Sequence, residues 1–413
     1  MLGAAGYAFV AVVGHVMHEP SEAGFLSALI SLYLLVNIVG PGIFAALEQA
    51  TSRAVSAALT RGEPVAPIAR RTAVLALWSF AVLVVVLLAA WPLVLARVLD
   101  DQVGLLVALL VAVAGSGAVY WVRGLLGGQQ RFAAYARTLY VEGAVRLVPC
   151  LILLVLAVGS PTAYGLAFAV GSAAAALAVA PLLGVRRGGE PNAPLERIGR
   201  SYAYLLGAIA LSQLLANLAP VVVSYRLPDD LVRAGVFGTT FVLARIPLFL
   251  FAPVQAVLLP HVTRAATLGR YAELVTRLRQ AALLVAALGV LGAVTCVWLG
   301  PWAAEVLFNT AARPTPAVLG LLGAATLLMM LALVVQPTLI ALGRQRWVTS
   351  AWTAGAVVFV VLLVLPGDPI TAALIAQLAG PLVVLVGLSV GVVSALHTGV
   401  SGRTANSAST GGE

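Results

Sequence analysis

"YVEGAVRLVPCLILLVLAVG", residues 140–159, is an apolar run long enough to cross a bilayer, yet it carries Glu142 and Arg146. A spanning helix needs about 20 mostly apolar residues, and a single charge at the bilayer centre costs at least about 2.5 kcal/mol. The two charges are four residues apart with the acid first, so on a helix they share a face and can pair. Pairing makes their burial tolerable without any ligand, which is the structural reading of the pair. The sharper reading makes Glu142 a proton-coupling group. The run has to be a helix, because a lone strand in lipid would leave its backbone groups unpaired. The period-two alternation of barrel strands is absent.

The rest of the chain agrees with this stretch. Of 413 residues, 62% are hydrophobic and 9% are charged, against roughly 25% charged in a soluble protein. So little polar surface cannot cover a water-soluble globule, and an integral membrane protein is expected. All 24 basic residues are Arg. Cys150 and Cys296 lie within apolar runs and read as small buried hydrophobes, with neither disulfide nor metal spacing. Residues 2–17 lack a basic region before them and a small-residue cleavage site after them, so they do not read as a cleaved signal. They are short for a span, which fits either a start placed inside the first helix or a shallow, tilted one.

Twelve apolar spans follow one another: 2–17, 24–50, 73–96, 103–126, 138–158, 163–184, 202–224, 235–258, 281–300, 316–341, 347–365 and 369–394. The loops after the even-numbered spans, with the tail, hold 18 of the 24 arginines. The opposite loops hold Arg97, Arg226, Arg233 and Arg313, together with Glu19, Glu22, Asp100, Asp101, Asp229, Asp230, Glu305 and Asp368. By the positive-inside rule both termini are cytoplasmic. The net charge of +9 is therefore a topology signal, and no nucleic-acid partner is called for.

The chain also repeats itself. "GGQQRF" (127–132) closes span 4 and "LGRQRW" (342–347) closes span 10, at an offset of 215. "TSRA" (51–54) and "VTRA" (262–265) follow spans 2 and 8 at 211, and Pro41 and Pro253 lie 212 apart. Together these indicate two six-helix copies in the same orientation, one known transporter plan. The expected organisation is a first lobe at 1–185, a cytoplasmic linker at 186–200, a second lobe at 201–396 and an unstructured polar tail at 397–413. Residues 264–280, "RAATLGRYAELVTRLRQ", place Leu268, Tyr271, Leu274, Val275 and Leu278 at helical spacing. They read as a short amphipathic helix on the anionic leaflet or as a solvated basic connector.

Two stretches resemble the multidrug/oligosaccharidyl-lipid/polysaccharide (MOP) exporter superfamily, and within it the Wzx-like polysaccharide flippases. They are "EPSEAGFLSALISLYLLV" (19–36) and "RGLLGGQQRFAAYARTLYVEGAVRL" (123–147). Ala23 stands where that family usually has an aromatic. The resemblance implies an all-α, MATE-like membrane fold of two lobes around a cavity lined by spans 1, 2, 7 and 8. It implies alternating access that carries a polyprenyl-(di)phosphate-linked oligosaccharide to the outer leaflet of the plasma membrane, for cell-envelope polysaccharide biosynthesis. It implies no cofactor and no enzymatic step. The implied partners are the lipid-linked glycan, anionic membrane lipids, and a polysaccharide polymerase or glycosyltransferase.

Such cargo needs a cationic, polar cavity, and Arg suits phosphate because its planar fork donates in pairs and stays charged. Arg245 lies about ten residues into span 8, about 15 Å deep at 1.5 Å per residue, near the midplane of a core about 30 Å thick. An ion pair with another helix is its structural alternative. Asn37, Gln213, Asn217 and Gln255 are uncharged groups in spans 2, 7 and 8 that could hold sugar hydroxyls or simply bond between helices. Gln336 and Gln377 read the same way elsewhere. Glu48 is placed at the inner mouth. Arg123, Arg131, Arg264 and Arg270 are expected to meet headgroups at the cytoplasmic interface, with Arg123 snorkelling there. His15, His18 and His261 lie at span ends without the spacing of a metal or acid–base site. Two rivals remain. A proton- or sodium-coupled drug antiporter needs accessible carboxylates in a lobe. A membrane glycosyltransferase or ligase would have to use Asp100–Asp101 or Asp229–Asp230, in loops too short for a substrate domain.

Overall fold

The computed structural model describes residues 2–17, 23–184, 196–248, 270–309, 312–342 and 344–410. Among these, every regular element is helical. Eleven segments are long and apolar enough to span a membrane, and the short apolar helix Ala5–Val16 precedes them. Large apolar side chains such as Trp78, Val155 and Trp298 stand more than two-thirds exposed or close to it, at 67%, 83% and 81%. That much apolar surface suits lipid and not water. The chain is a multi-pass membrane protein.

The elements are α1 (Leu2–Val16), α2 (Ala23–Val39), a π-helical turn (Gly40–Phe44), α3 (Ala45–Thr60), α4 (Ala66–Ala89), α5 (Trp91–Val98), α6 (Val103–Gly128), α7 (Phe132–Val155), α8 (Pro161–Val179), α9 (Glu196–Arg226), α10 (Leu231–Leu243), α11 (Tyr271–Phe308), α12 (Pro316–Ala341), α13 (Gln345–Val364) and α14 (Pro369–Thr410). Span 2 is thus two helices joined through the wide turn around Pro41. Proline has no N–H to give, and a π-bulge is one way a helix absorbs that loss. Two expectations change. Residues 271–280 are the first turns of the 38-residue α11, not a separate amphipathic helix, because nothing breaks helical propensity between them and span 9. Residues 264–269 lie outside the described residues. The polar tail is helical to Thr410, since adding a turn to an existing helix avoids the cost of nucleation.

The chain divides into two compact units, Met1–Thr240 with Trp302–Arg313, and Phe241–Pro301 with Pro314–Glu413. In the first, α6 lies at the centre and packs on α3, α4 and α8, while α9 packs on α2 and α3. Between lipid-solvated helices there is no hydrophobic force to spare, so close backbone approach has to supply the attraction. Glycines allow it. A Cβ on Gly115 would lie 2.8 Å from the backbone nitrogen of Ala173, and one on Gly128 2.6 Å from the Val55 Cβ. In the second unit, Ala281 and Val285 of α11 form a core with Met330 and Val334 of α12, and α14 packs on α12 and α13.

The two halves repeat at the turn level. Gln129 ends α6 at φ −82°, ψ 0°, and Leu342 ends α12 at φ −80°, ψ 4°. Arg131 opens α7 at φ −85°, ψ 61°, and Arg344 opens α13 at φ −92°, ψ 43°. Each of these arginine N–H groups donates to a carbonyl five residues back, Leu126 or Leu339, at 2.9 Å. The structural counterpart of Arg131 is therefore Arg344, two residues short of the Arg346 that the sequence motif pairs with it, because helix ends and not side-chain identities set the register of the repeat.

Replacing Gly115 with Leu is expected to cost about 1–3 kcal/mol by overpacking, seen as a lower apparent melting temperature in detergent. Replacing Gly62, which has φ +70° and open space around it, with Asn should leave the melting temperature almost unchanged.

Candidate functional site

Three helices of the first unit meet at Glu142. On α7, Arg146 lies one turn on, and its Nη2 is 2.6 Å from Glu142 Oε1. From α6, Arg123 Nη2 donates to Glu142 Oε2 at 2.5 Å. From α8, Ser172 donates its hydroxyl to Oε1 at 2.6 Å and accepts from Arg146 at 2.8 Å. Arg123 Nε also donates to Thr138 Oγ1 at 2.8 Å. All four of these side chains other than Arg146 are at most 2% exposed, and Arg146 is 8% exposed. The Arg146 guanidinium lies over the Phe168 ring at 4.5 Å, and Phe168 stacks in turn on Phe9 and Tyr33. Gly171 on α8 leaves room for the Arg146 stem, where any Cβ would collide with it.

Arg123 therefore does not snorkel. It sits more than a turn inside α6, and the Glu142 carboxylate offers it better solvation than a strained reach to the interface. Two guanidinium groups on one carboxylate leave the cluster with surplus positive charge. Glu48 of α3, half-buried, accepts a hydrogen bond from Tyr135 at 2.7 Å. The sequence could not show Ser172 or Arg123 as partners, since they lie 30 and 19 residues from Glu142. The only local signal was that Arg123 precedes three more apolar residues of its span.

The second unit holds Arg245. Helix α10 ends at Leu243 and the chain turns at Ala244 and Arg245 before residues 246–248 resume helical geometry. Pro247 explains the break: it cannot donate to the Leu243 carbonyl, and its ring crowds that carbonyl. Arg245 is 8% exposed. Its Nη2 donates to Gln377 Oε1 of α14 at 3.0 Å, and its Cζ lies 4.4 Å from the Phe241 ring centre. The Gln377 amide and the Phe241 ring are among the groups that solvate this cation.

The uncharged candidates are placed as follows. Asn37 donates back to the Tyr33 carbonyl of its own helix at 2.8 Å. Asn217 donates to the side chain and the carbonyl of Gln213, at 3.2 and 3.1 Å. All three are half-buried. Gln336 accepts from the Trp352 indole at 2.8 Å. Arg270 is 3.7 Å from Glu273. Gln255, Arg264, Pro253, His18 and His261 lie outside the described residues. Among the described residues, no three His, Cys, Asp or Glu side chains come together as a metal site would need.

A further polar feature lies at one end of the first unit. Ser27 and Ser31 of α2 bond to Ser224 of α9 at 2.9 and 3.3 Å. Beside them is a cavity of about 30 Å³ that Arg97 and Asp100 also line, room for one or two waters. Asp100 and Asp101 occupy left-handed backbone at φ 50° and 55°. Gly24 lets α2 pass against the Asp100 carboxylate. Partial burial, and then the Asp101 carboxylate, push Asp100 above the usual carboxylate range.

No family model matches this sequence, and no curated protein matches it. Solved structures do, at low identity. An inward-facing multidrug-resistance MATE transporter of the MOP superfamily superposes with a TM-score of 0.74 at 13% identity, over 97% of this chain and 95% of that one. The chain has the MATE transporter fold. An outward-facing MATE transporter gives 0.64 at 13% identity over 98% and 94%. The MATE transporter VcmN of Vibrio cholerae in its bent form gives 0.58 at 16% identity over 96% and 98%.

Losing the Glu142 charge should be the most damaging change in the cluster. Glu142→Gln leaves two buried cations uncompensated, and breaking a buried pair costs about 3–5 kcal/mol. Arg146→Gln should cost much less, because Arg123 and Ser172 still hold the carboxylate. Thermal unfolding of the purified variants in one detergent checks the order. At the Asp100 cavity, a raised folded pKa means stability is fully present below the unfolded pKa and is lost as pH rises through the folded one. Asp100→Asn, which mimics the protonated form and tolerates the left-handed backbone, should raise stability at pH 7 and remove that part of its pH dependence. Melting curves at pH 4 to 8 are the measurement.

Proposed function

We propose that this protein is an alternating-access flippase. Its cargo is an anionic amphiphile, a polyprenyl-(di)phosphate-linked oligosaccharide, carried from the inner to the outer leaflet of the plasma membrane, with both chain termini on the cytoplasmic side. No covalent chemistry on the cargo is involved, and a polymerase or glycosyltransferase acts on it after release. The observation that carries this reading is the saturation of Glu142 by two arginines and a serine. A carboxylate so committed is a poor seat for a cationic drug or an exchanging proton. Arg245 supports the same polarity, because it places a buried guanidinium in the second unit, with the Gln377 amide and the Phe241 ring among its contacts. A phosphate approaching it would gain a charge-assisted bond worth about 1.5–3 kcal/mol. The MATE fold supports the transport mode. The competing drug-antiporter reading draws on two of the fold neighbours, which are multidrug-resistance MATE transporters.

The test is reconstitution of the full chain in liposomes with a labelled polyprenyl-diphosphate glycan. Wild type should expose headgroups to an external probe with time. Arg245→Ala should slow this about tenfold or more, the effect of losing about 1.4 kcal/mol or more, and Arg245→Lys should fall between. A wild type that flips nothing, yet moves a cationic dye against a proton gradient, makes the protein an antiporter.

A further inference from the structure

The α6–α7 turn borders a cavity of about 570 Å³, with Gln130, Arg131, Phe132, Arg137 and Leu182 among its walls. Among the described residues, no acidic residue lines it. Neither arginine has a carboxylate within 4.0 Å among the described residues. Both are exposed, unlike the two arginines that hold Glu142. Two guanidinium groups facing one open cavity, with no carboxylate near either among the described residues, make a site for an anion.

Arg131 is also held in place. Its Nη1 donates to the Leu182 carbonyl, where α8 ends in a 3-10 turn. Gly184, at φ +59°, brings the chain so close that a Cβ there would lie 3.1 Å from the same nitrogen. A guanidinium has five N–H groups, so one bond to a carbonyl fixes its position and leaves most of its donors for a ligand. A pinned donor loses little freedom on binding. The first turn of α7 carries no side-chain cap, so its backbone N–H groups add to the positive character of the wall. The cavity and the arginine pair carry the assignment.

Location selects the kind of anion. Helices α6 and α7 are both membrane-length, so residues 129–131 between them lie at the membrane–water boundary. Phe132, 66% exposed, stands beside the arginines at that level. A phosphodiester next to an acyl chain meets both features at once, whereas a free anion uses only the first. We infer that this cavity binds the phosphate headgroup of an anionic membrane phospholipid, gripped by Arg131 and Arg137. This site is separate from Arg245, and the inference does not depend on what the protein transports.

The test uses the purified full chain in neutral detergent with three probes: phosphatidylglycerol, phosphatidylcholine and inorganic phosphate. Retained lipid is read by native mass spectrometry and stabilisation by thermal shift. Phosphatidylglycerol should stay bound to wild type and raise its melting temperature, and phosphatidylcholine should do neither. Arg137→Gln and Arg137→Glu should each weaken phosphatidylglycerol retention at least tenfold, and Arg137→Lys should keep most of it. Arg137 makes no ion pair among the described residues, so the Gln variant should fold even if the Glu variant does not. Equal retention by wild type and Arg137→Gln overturns the inference, as does equal retention of the two lipids. If inorganic phosphate alone reproduces the full stabilisation and the lipid adds nothing, the site belongs to a free anion and the lipid assignment fails.

Discussion

The carboxylate of Glu142 is the constraint on which the first unit depends. In lipid, helices cannot be driven together by excluding water, so something else has to fix their order and rotation. One buried anion shared by Arg123 of α6, Arg146 of α7 and Ser172 of α8 does so, because each partner is expensive to leave unsatisfied at that depth. Charged hydrogen bonds are directional, so the cluster also fixes the rotation of each helix. Apolar contacts such as Val122 and Leu126 of α6 against Ala175 and Val179 of α8 then fill the space beside it.

Close packing depends on glycine where the polar cluster is absent. Gly124 and Gly128 on one face of α6 let α3 approach at Thr51 and Val55. Gly355 and Gly380 do the same for α13 and α14. Prolines supply the irregularities. Pro41 sits in the wide turn between α2 and α3, and Pro247 follows the break that places Arg245 on a turn. A cation on a helix break can be reached by a ligand with less steric hindrance than one packed mid-helix, and the backbone groups freed there can bond as well.

The arginines thus fall into three physical classes that charge counting alone does not separate. Arg123 and Arg146 are structural, neutralised in part by one acid and wrapped by aromatic rings. Arg245 is buried against the Gln377 amide and the Phe241 ring. Arg131 and Arg137 are exposed at the boundary with no acid beside them. Burial and partner identity, rather than position along a span, decide which of them can serve a mobile anion.

The sequence by itself determined the membrane class and the helical fold, because hydropathy is a local property written along the chain. It also determined that Glu142 and Arg146 share a face, since helical periodicity alone brings residues four apart together. It did not reveal that Arg123 is the second cation on Glu142, that Ser172 bridges the pair, or that Gln377, 132 residues away, holds Arg245. Nor did it set the true register of the repeat, which follows helix ends and not the Gly-x-Gln-Arg pattern. Those outcomes required the tertiary structure, because a buried charge takes whichever donor or acceptor the packing of other helices brings within 3 Å, and nothing local encodes that neighbour.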